Sequence, residues 1–387
     1  MDKAMILRPA DEQELCETVR AAASAGTRLS LEGGGSKVSM GRPVDDCRTL
    51  SLGAFSGIAD YDPPELVLTA GAATPLSQIE SALAENNQML AFEPFDLAPI
   101  LGGEPGVTTI GGVVASGLAG SQRLVHGGVR DHLLGFRAVS GRGDAFVAGG
   151  KVVKNVTGYD LSKLMCGSWG RLAALMEVTL KVLPRPASQA TLIARDLDPR
   201  AAWASFARLL GSQAEIAAAA HFPPGTLEDH AISAVRLQGF APSVDARAAM
   251  VERIGSAEGY RRADASVATG IWASLRDLSV LPRNPAMWRV SLPARQAPDF
   301  LEAFAPGDVR WVMDWAGGLI WLSTDRPAEM VRTAAQRCNG HAMLLRASAD
   351  IRRAVPTLHT QPDALARLEE RVRRAFDPAS VFETGRF

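Results

Sequence analysis

The chain has 387 residues, 47% of them apolar and 21% charged, and its 41 basic and 42 acidic side chains leave a formal net charge of −1. That balance argues against nucleic acid or an acidic membrane as the primary partner, and the length calls for two domains, or one large domain with a second embedded in it. Four cysteines, Cys16, Cys47, Cys166 and Cys338, stand far apart without a Cys-x-x-Cys pair, which excludes a local zinc or iron–sulfur cradle and a disulfide framework.

The N-terminal "MDKAMILRPADEQ" has no secretory h-region, and no apolar run approaches membrane-spanning length, so a soluble cytoplasmic protein is expected. Asp11 is placed to cap a helix, with Glu14 in the capping-box position; Leu15, Val19, Ala22 and Ala23 line its apolar face and Gly26 stops it. "TRLSLE" follows as a strand and runs directly into Gly33-Gly34-Gly35. "ELVLTAG" reads as a second strand and Thr74-Pro75 as the start of a second helix, ending near Asn86-Asn87. From Leu101 to Gly128 the chain is dense in Gly, Ala, Ser and Thr with no convincing period, which predicts a long functional loop. "LLGFRAVSGRGDAFVAGG" reads as a hairpin turning at Gly141–Gly143, Asp160 as the cap of a short helix "LSKLM", and "RLAALMEVTLKVLPRP" as a loop and long strand closed by Pro184 and Pro186. Past that proline pair, "WRVSLP", "PDFLEAF", "DVRWVMDW", "LIWLST", "PAEMVRTAAQRC" and "HAMLLRAS" give the order βαββαβ of a ferredoxin-like unit, with Gly317-Gly318 as its hairpin turn. Gln189 to about Ser256 reads as β-α-β-β-α, a weaker copy. A helix, "PDALARLEERVRRAF", and a tail, "DPASVFETGRF", end the sequence.

Glycine triplets hold phosphates, but they also make ordinary turns. The Gly33–Gly35 run lacks the Gly-Lys-Ser/Thr ending of a Walker loop and the third glycine of a Rossmann fingerprint, so alone it decides nothing. A second cluster, Gly111-Gly112, Ala115-Ser116-Gly117 and Gly120, would leave a surface almost free of side chains, suited to a flat ring or to a diphosphate held by backbone N–H groups. Tight packing inside the core would use the same residues.

Taken together, "EGGGSKVSMG", "TTIGGVVASG", "GGVRDHLLGFRAVSGRGDAFVAGGKVVKNVTGYDLSKLMCGSWG" and "MEVTLKVLPRP" resemble the PCMH-type, or vanillyl-alcohol-oxidase-type, FAD-binding superfamily. Within it the sequence resembles the GlcE-type FAD-binding subunits of glycolate oxidase, and "WRVSLP", "DWAGGLIWL", "GHAMLLRAS" and "FDPASVF" extend the likeness to the C-terminus. The resemblance implies an α+β fold: a two-subdomain PCMH-type FAD-binding domain over 1–186, a ferredoxin-like cap or substrate domain over 187–355, and a C-terminal helix and tail over 356–387 returning to the FAD domain. It implies that Gly33, Gly34, Gly35 and Ser36 wrap the FAD pyrophosphate. Thr109, Gly111, Gly112, Ser116 and Gly117 would face the pyrophosphate, ribityl chain and isoalloxazine. Gly167 and Gly170 would approach the flavin, and Glu177 and Val178 would touch the adenosine side. Relatives with covalent flavin often carry a histidine in the first glycine loop; Ser36 and Lys37 stand here, so non-covalent FAD is expected.

Two stretches depart from the family pattern. Arg171-Leu172-Ala173 stands where Thr-Leu-Gly is usual, and Phe382-Glu383-Thr384-Gly385-Arg386 where Asn-Pro-Gly is usual; Arg171 would pair with a phosphate, obstruct the flavin, or lie at the surface. The six histidines, His126, His132, His221, His230, His341 and His359, are dispersed, and no metal site is expected. Related flavin dehydrogenases for 2-hydroxy acids carry a His-rich, metal-assisted site, and the resemblance therefore implies oxidation of glycolate, a 2-hydroxy acid, within a complex: a sister FAD-binding subunit holds that site, and an iron–sulfur subunit takes the electrons. Any membrane association would be peripheral, at the inner membrane through partner subunits. The catalytic candidates near the flavin in the second domain are Arg289, as an anchor for a carboxylate, and His341; Trp315 and Trp321 of the same domain read as core or subunit interface. The alternatives left open are a self-sufficient FAD oxidoreductase of another hydroxy acid, alcohol or sugar, and a structural or assembly subunit that has lost flavin.

Overall fold

The computed structural model describes residues 6–150 and 159–387; the "VVKNVTG" part of the third motif lies outside them. The chain divides into two units, one made of Met1–Ala119, Gly127–Pro184 and Thr360–Phe387, the other of Gly120–His126 and Arg185–His359. A single cut at Pro184–Pro186 therefore misses the heptad Gly120–His126, which belongs to the second unit.

In the first unit Asp11 caps the helix Glu12–Ala25 by accepting the Glu14 N–H, and Gly26 ends it in the left-handed conformation with φ +64°. Strands β1 (Leu29–Glu32) and β2 (Arg48–Ser51) pair in parallel. Strands β3 (Ile58–Asp62), β4 (Val67–Gly71), β6 (Leu133–Ser140), β7 (Ala145–Gly149) and β8 (Ala173–Lys181) form an antiparallel sheet in the order β3-β4-β8-β6-β7. The two-residue strands β5 (Gln88–Met89) and β9 (Leu183–Pro184) make a separate pair. β8 lies at the centre of its sheet and is buried along almost its whole length, which accounts for its near-continuous apolar sequence. Leu76, Ile79 and Leu83 of the helix Leu76–Glu85 pack with Val178 and Leu180 in one core; Leu15, Val19, Leu29, Val139 and Met176 form a second.

The region expected as a long loop contains the helix Ile110–Ser116, ended by Gly117 at φ +65°. Two glycines disfavour a helix intrinsically. Packing overrides that preference here, because a Cβ on Gly111 would stand 2.7 Å from the Ala72 carbonyl oxygen. Periodicity fails where the helix is buried and its contact face is made of glycine.

The second unit is a duplicated ferredoxin-like arrangement. Strands β10 (Ser188–Arg195), β11 (Ala218–Phe222), β12 (Ile232–Gly239) and β13 (Arg261–Arg262) lie in the order β13-β10-β12-β11. Strands β14 (Ala286–Ser291), β15 (Arg310–Asp314), β16 (Leu319–Thr324) and β17 (His341–Arg346) lie in the order β15-β16-β14-β17. Each half has its second strand at one edge, and β11 and β15 join there through His221 and Met313 into one eight-stranded sheet. The weaker copy thus has the missing sixth element, β13, only two residues long. Phe206, Val244, Phe300 and Val331 from the helices pack with Trp288, Val290, Ile320 and Leu344 on one face of the sheet. Among the described residues no helix is long and apolar enough to cross a membrane.

Candidate functional site

The two glycine clusters meet on one open cleft in the first unit. Gly33, Gly34, Gly35, Ser36, Thr109, Gly111, Gly112, Ser116 and Gly170 all line it. Gly35 has φ +77°, which a side chain rarely tolerates. Gly34 has a different reason to be glycine, since a Cβ there would lie 1.7 Å from the Val107 carbonyl oxygen. A Cβ on Gly33 would stand 2.6 Å from Thr109 Oγ1. The glycines therefore serve two purposes at once. They let the first loop lie on the 107–112 segment, and they leave backbone, not side chains, facing the cleft. None of the N–H groups of Gly33, Gly34, Gly35, Ser36 and Lys37 donates to a described protein acceptor.

Lys37 also lines this cleft, and the sequence reading did not count it as a binding residue. Its Nζ donates to Ser36 Oγ at 3.0 Å and lies 3.1 Å from where a Gly112 Cβ would be. Among the described residues it makes no ion pair. Desolvation lowers its pKa from 10.5 to about 8, against a weaker opposing pull from Asp96. A desolvated ammonium beside a run of unpaired N–H groups is complementary to an anion, and a diphosphate supplies the charge both need. The signal that could have found it is a lysine immediately after a Gly-Gly-Gly-Ser run.

Four expected contacts lie elsewhere. Gly117 and Gly167 pack on each other, with a Gly117 Cβ position 3.0 Å from the Gly167 backbone. The Val178 side chain is fully buried in the first unit's core. Glu177 lines a separate depression beside Phe55, Ser56 and Gly57. It is the start of β8, at Ala173 and Leu175, that reaches the cleft.

The C-terminal tail supplies further lining, from Phe382, Glu383, Thr384, Arg386 and Phe387. The Asp377 carboxylate accepts the N–H groups of Val381 and Phe382 at 2.8 and 2.7 Å, and Leu29 donates to the Val381 carbonyl at 2.7 Å, which ties the tail to β1. The Phe387 and Trp169 rings lie 4.8 Å apart.

A family model described as "FAD binding domain" matches residues 3–149. The Escherichia coli K12 glycolate oxidase subunit GlcE is 37% identical over 98% of this chain and 99% of its own length. The chain belongs to the GlcE family of glycolate oxidase subunits. The GlcD subunit of glycolate oxidase from Bacillus subtilis 168 matches a shorter stretch, 39% identical over 23% of this chain and 19% of its own. The structure of p-cresol methylhydroxylase with substrate bound superimposes with a TM-score of 0.70 at 15% identity, over 98% of this chain and 88% of that one, and shares the fold. This member of the GlcE family is an FAD-dependent oxidoreductase subunit with an α+β, PCMH-type architecture.

Both departures from the usual pattern of the family belong to one ion cluster. Arg171 Nη1 donates to Glu369 at 2.8 Å and Nη2 to Glu383 at 2.9 Å, while Arg373 also pairs with Glu383. Arg171 lines the cleft with its side chain largely buried, and its partner is the other unusual residue. Burial raises the Glu383 pKa, but the Arg171 hydrogen bond and the charges of Arg171 and Arg373 outweigh it and hold the carboxyl below its ordinary 4.5. Because the folded pKa is depressed, this stabilisation is present above pH 4.5 and is lost as the pH falls through the folded pKa. A double-mutant cycle of Arg171→Met and Glu383→Gln, read by denaturant unfolding, should give a coupling of about 1–3 kcal/mol. Additive single mutants would show that the pair does not hold the tail.

In the second unit the weak candidates come together. Arg289 lies opposite Trp321 of β16 and Ser291 opposite His341 of β17, on the sheet face away from Trp288 and Val290. Trp315 joins them, its ring 5.1 Å from the Arg289 guanidinium carbon.

Proposed function

We propose that the first unit binds FAD non-covalently in the glycine-lined cleft, and that the chain works within a glycolate oxidase complex that oxidises glycolate to glyoxylate. The observation that carries this reading is Lys37, a desolvated cation that makes no ion pair among the described residues, beside five backbone N–H groups that donate to no described acceptor. Gly33, Gly34, Gly35, Ser36 and Lys37 would hold the diphosphate, and Thr109, Gly112, Ser116 and Gly170 would border the remainder. When bound, FAD supplies acceptance of a hydride equivalent from the carbon bearing the hydroxyl. The protein would orient that group through backbone donors lining the cleft. Residues 31–41, with neither histidine nor cysteine, offer no side chain for the usual covalent link.

Electrons would leave through a partner. Cys16 and Cys338 are each buried in the core of a unit, and the four cysteines include no Cys-x-x-Cys pair. The names of the relatives, glycolate oxidase subunits GlcE and GlcD, support a complex of several chains; a sister flavoprotein of GlcD type and an iron–sulfur subunit are the partners proposed for it. Co-expression of the three chains tests this. The complex should co-purify, and anaerobic glycolate should bleach its flavin absorbance. A co-purified complex whose flavin stays oxidised in glycolate would refute the substrate.

A further inference from the structure

Burying a guanidinium costs less when its donor positions find acceptors. In the second unit Arg247 finds them, donating to the carbonyls of Gln238, Ala214 and Glu215 and to the Glu215 carboxylate. Arg289 does not. Its Nη1 donates to Ser291 Oγ at 3.0 Å, its Nε is sealed from solvent with no acceptor, and no carboxylate of the described residues pairs with it. A second guanidinium, Arg123, lies over the same indole, 4.5 Å from the Trp315 ring centre against 5.1 Å for Arg289. Desolvation first, then the like charge of Arg123, lowers the Arg289 pKa to about 10. The nearest counter-charge, Asp314, already accepts from Ser121 Oγ at 2.8 Å and from the Trp315 N–H at 2.7 Å. His341 borders the group across from Ser291, its pKa lowered by burial first and by Arg289 second, so its imidazole is neutral at pH 7.

We propose that Arg289, Arg123 and the Trp315 indole form a binding site for a small monocarboxylate on the second unit. The charge balance selects a single negative charge: two guanidiniums stand against one carboxylate, and one positive charge is left over. Geometry selects a carboxylate over a rounder anion, because a guanidinium is a planar fork that pairs with two coplanar oxygens. The indole gives the rest of a two- or three-carbon acid an apolar floor. Naming the ligand as the 2-hydroxy acid rests on the function proposed above; the carboxylate site itself does not.

Isothermal titration of the full-length, FAD-loaded chain with acetate, glycolate, glycolamide and inorganic phosphate tests the site. Acetate and glycolate should bind, and glycolamide, which lacks the charge, should not. R289M should weaken glycolate at least 30-fold, R123Q about fivefold, and R289K should fall between wild type and R289M because a lysine keeps the charge and loses the fork. Without ligand, R289M should melt no earlier than wild type, since it removes an unpaired, desolvated cation. Should R289M fail to fold, R289K and R123Q carry the same comparison. Unchanged glycolate affinity in R289M, equal binding of glycolamide, or tighter binding of phosphate would overturn the proposal. Arg289-dependent carboxylate binding without flavin reduction in the complex would support the site and count against glycolate as substrate. Flavin reduction insensitive to R289M would do the reverse.

Discussion

Replacing Lys37 by glutamine is expected to weaken FAD binding on the order of 100-fold, about 3 kcal/mol, because it removes a charge-assisted contact to the diphosphate from a desolvated site. The wild-type protein should show a pH dependence that the variant lacks. Its free Lys37 loses a proton near pH 8. Above that pH, binding of an anion must first restore the proton, so affinity falls as the pH rises until the pKa of the complex is reached. Stability of the FAD-free protein should move the other way. The folded pKa is depressed, so the unfolded chain holds more protons between pH 8 and 10.5 and folding is favoured as the pH rises through that window. K37Q without FAD should therefore be at least as stable as wild type at pH 7, while binding FAD far less well. Fluorescence titration of flavin from pH 6 to 9, with melts of the FAD-free proteins, reads both. A variant with wild-type affinity, or a flat wild-type profile, would remove Lys37 from the site.

Gly34→Ala should be the most damaging small substitution in the first unit. Its Cβ would sit 1.7 Å from a backbone oxygen of Val107, and backbone cannot rotate aside as a side chain does. One of the two loops must retreat by more than an ångström to reach a normal contact of about 3.3 Å. The expected cost is about 2–3 kcal/mol of stability together with loss of bound flavin. Gly270→Ala is the matching control. Gly270 lies inside the helix Ala265–Asp277 with nothing within 4 Å of its Cβ position, so alanine there should stabilise by about 0.5–1 kcal/mol. Urea unfolding and flavin content of the two variants give the comparison, and a fully flavin-loaded G34A protein would contradict the loop packing described.

What the sequence made legible follows the strength of each physical signal. The Asp11 cap, the Gly26 stop and the second βαββαβ array are written in local residue chemistry and came through intact. β2 and β3 were missed: "RTLS" and "IADYD" are four- and five-residue, half-exposed strands whose identity comes from their pairing partners. The helix Ile110–Ser116 was missed because its packing face is glycine. In the site, the glycines were recognised by their run and Lys37 was not, since desolvation is a property of the folded surroundings. Arg171 and Glu383 were seen as two separate oddities 212 positions apart; only the fold shows them to be partners. Glu177 and Val178 were assigned by motif position, and the course of β8 carries them away from the cleft.

Flavin occupancy of the purified chain tests the central claim most directly. Absorbance spectra before and after acid denaturation and filtration should show one FAD per chain, with all of the yellow colour passing into the filtrate. A colourless chain that takes up no added FAD, or flavin that stays with the precipitated protein, would contradict a cleft that holds FAD by backbone donors, Ser36 and Lys37 alone.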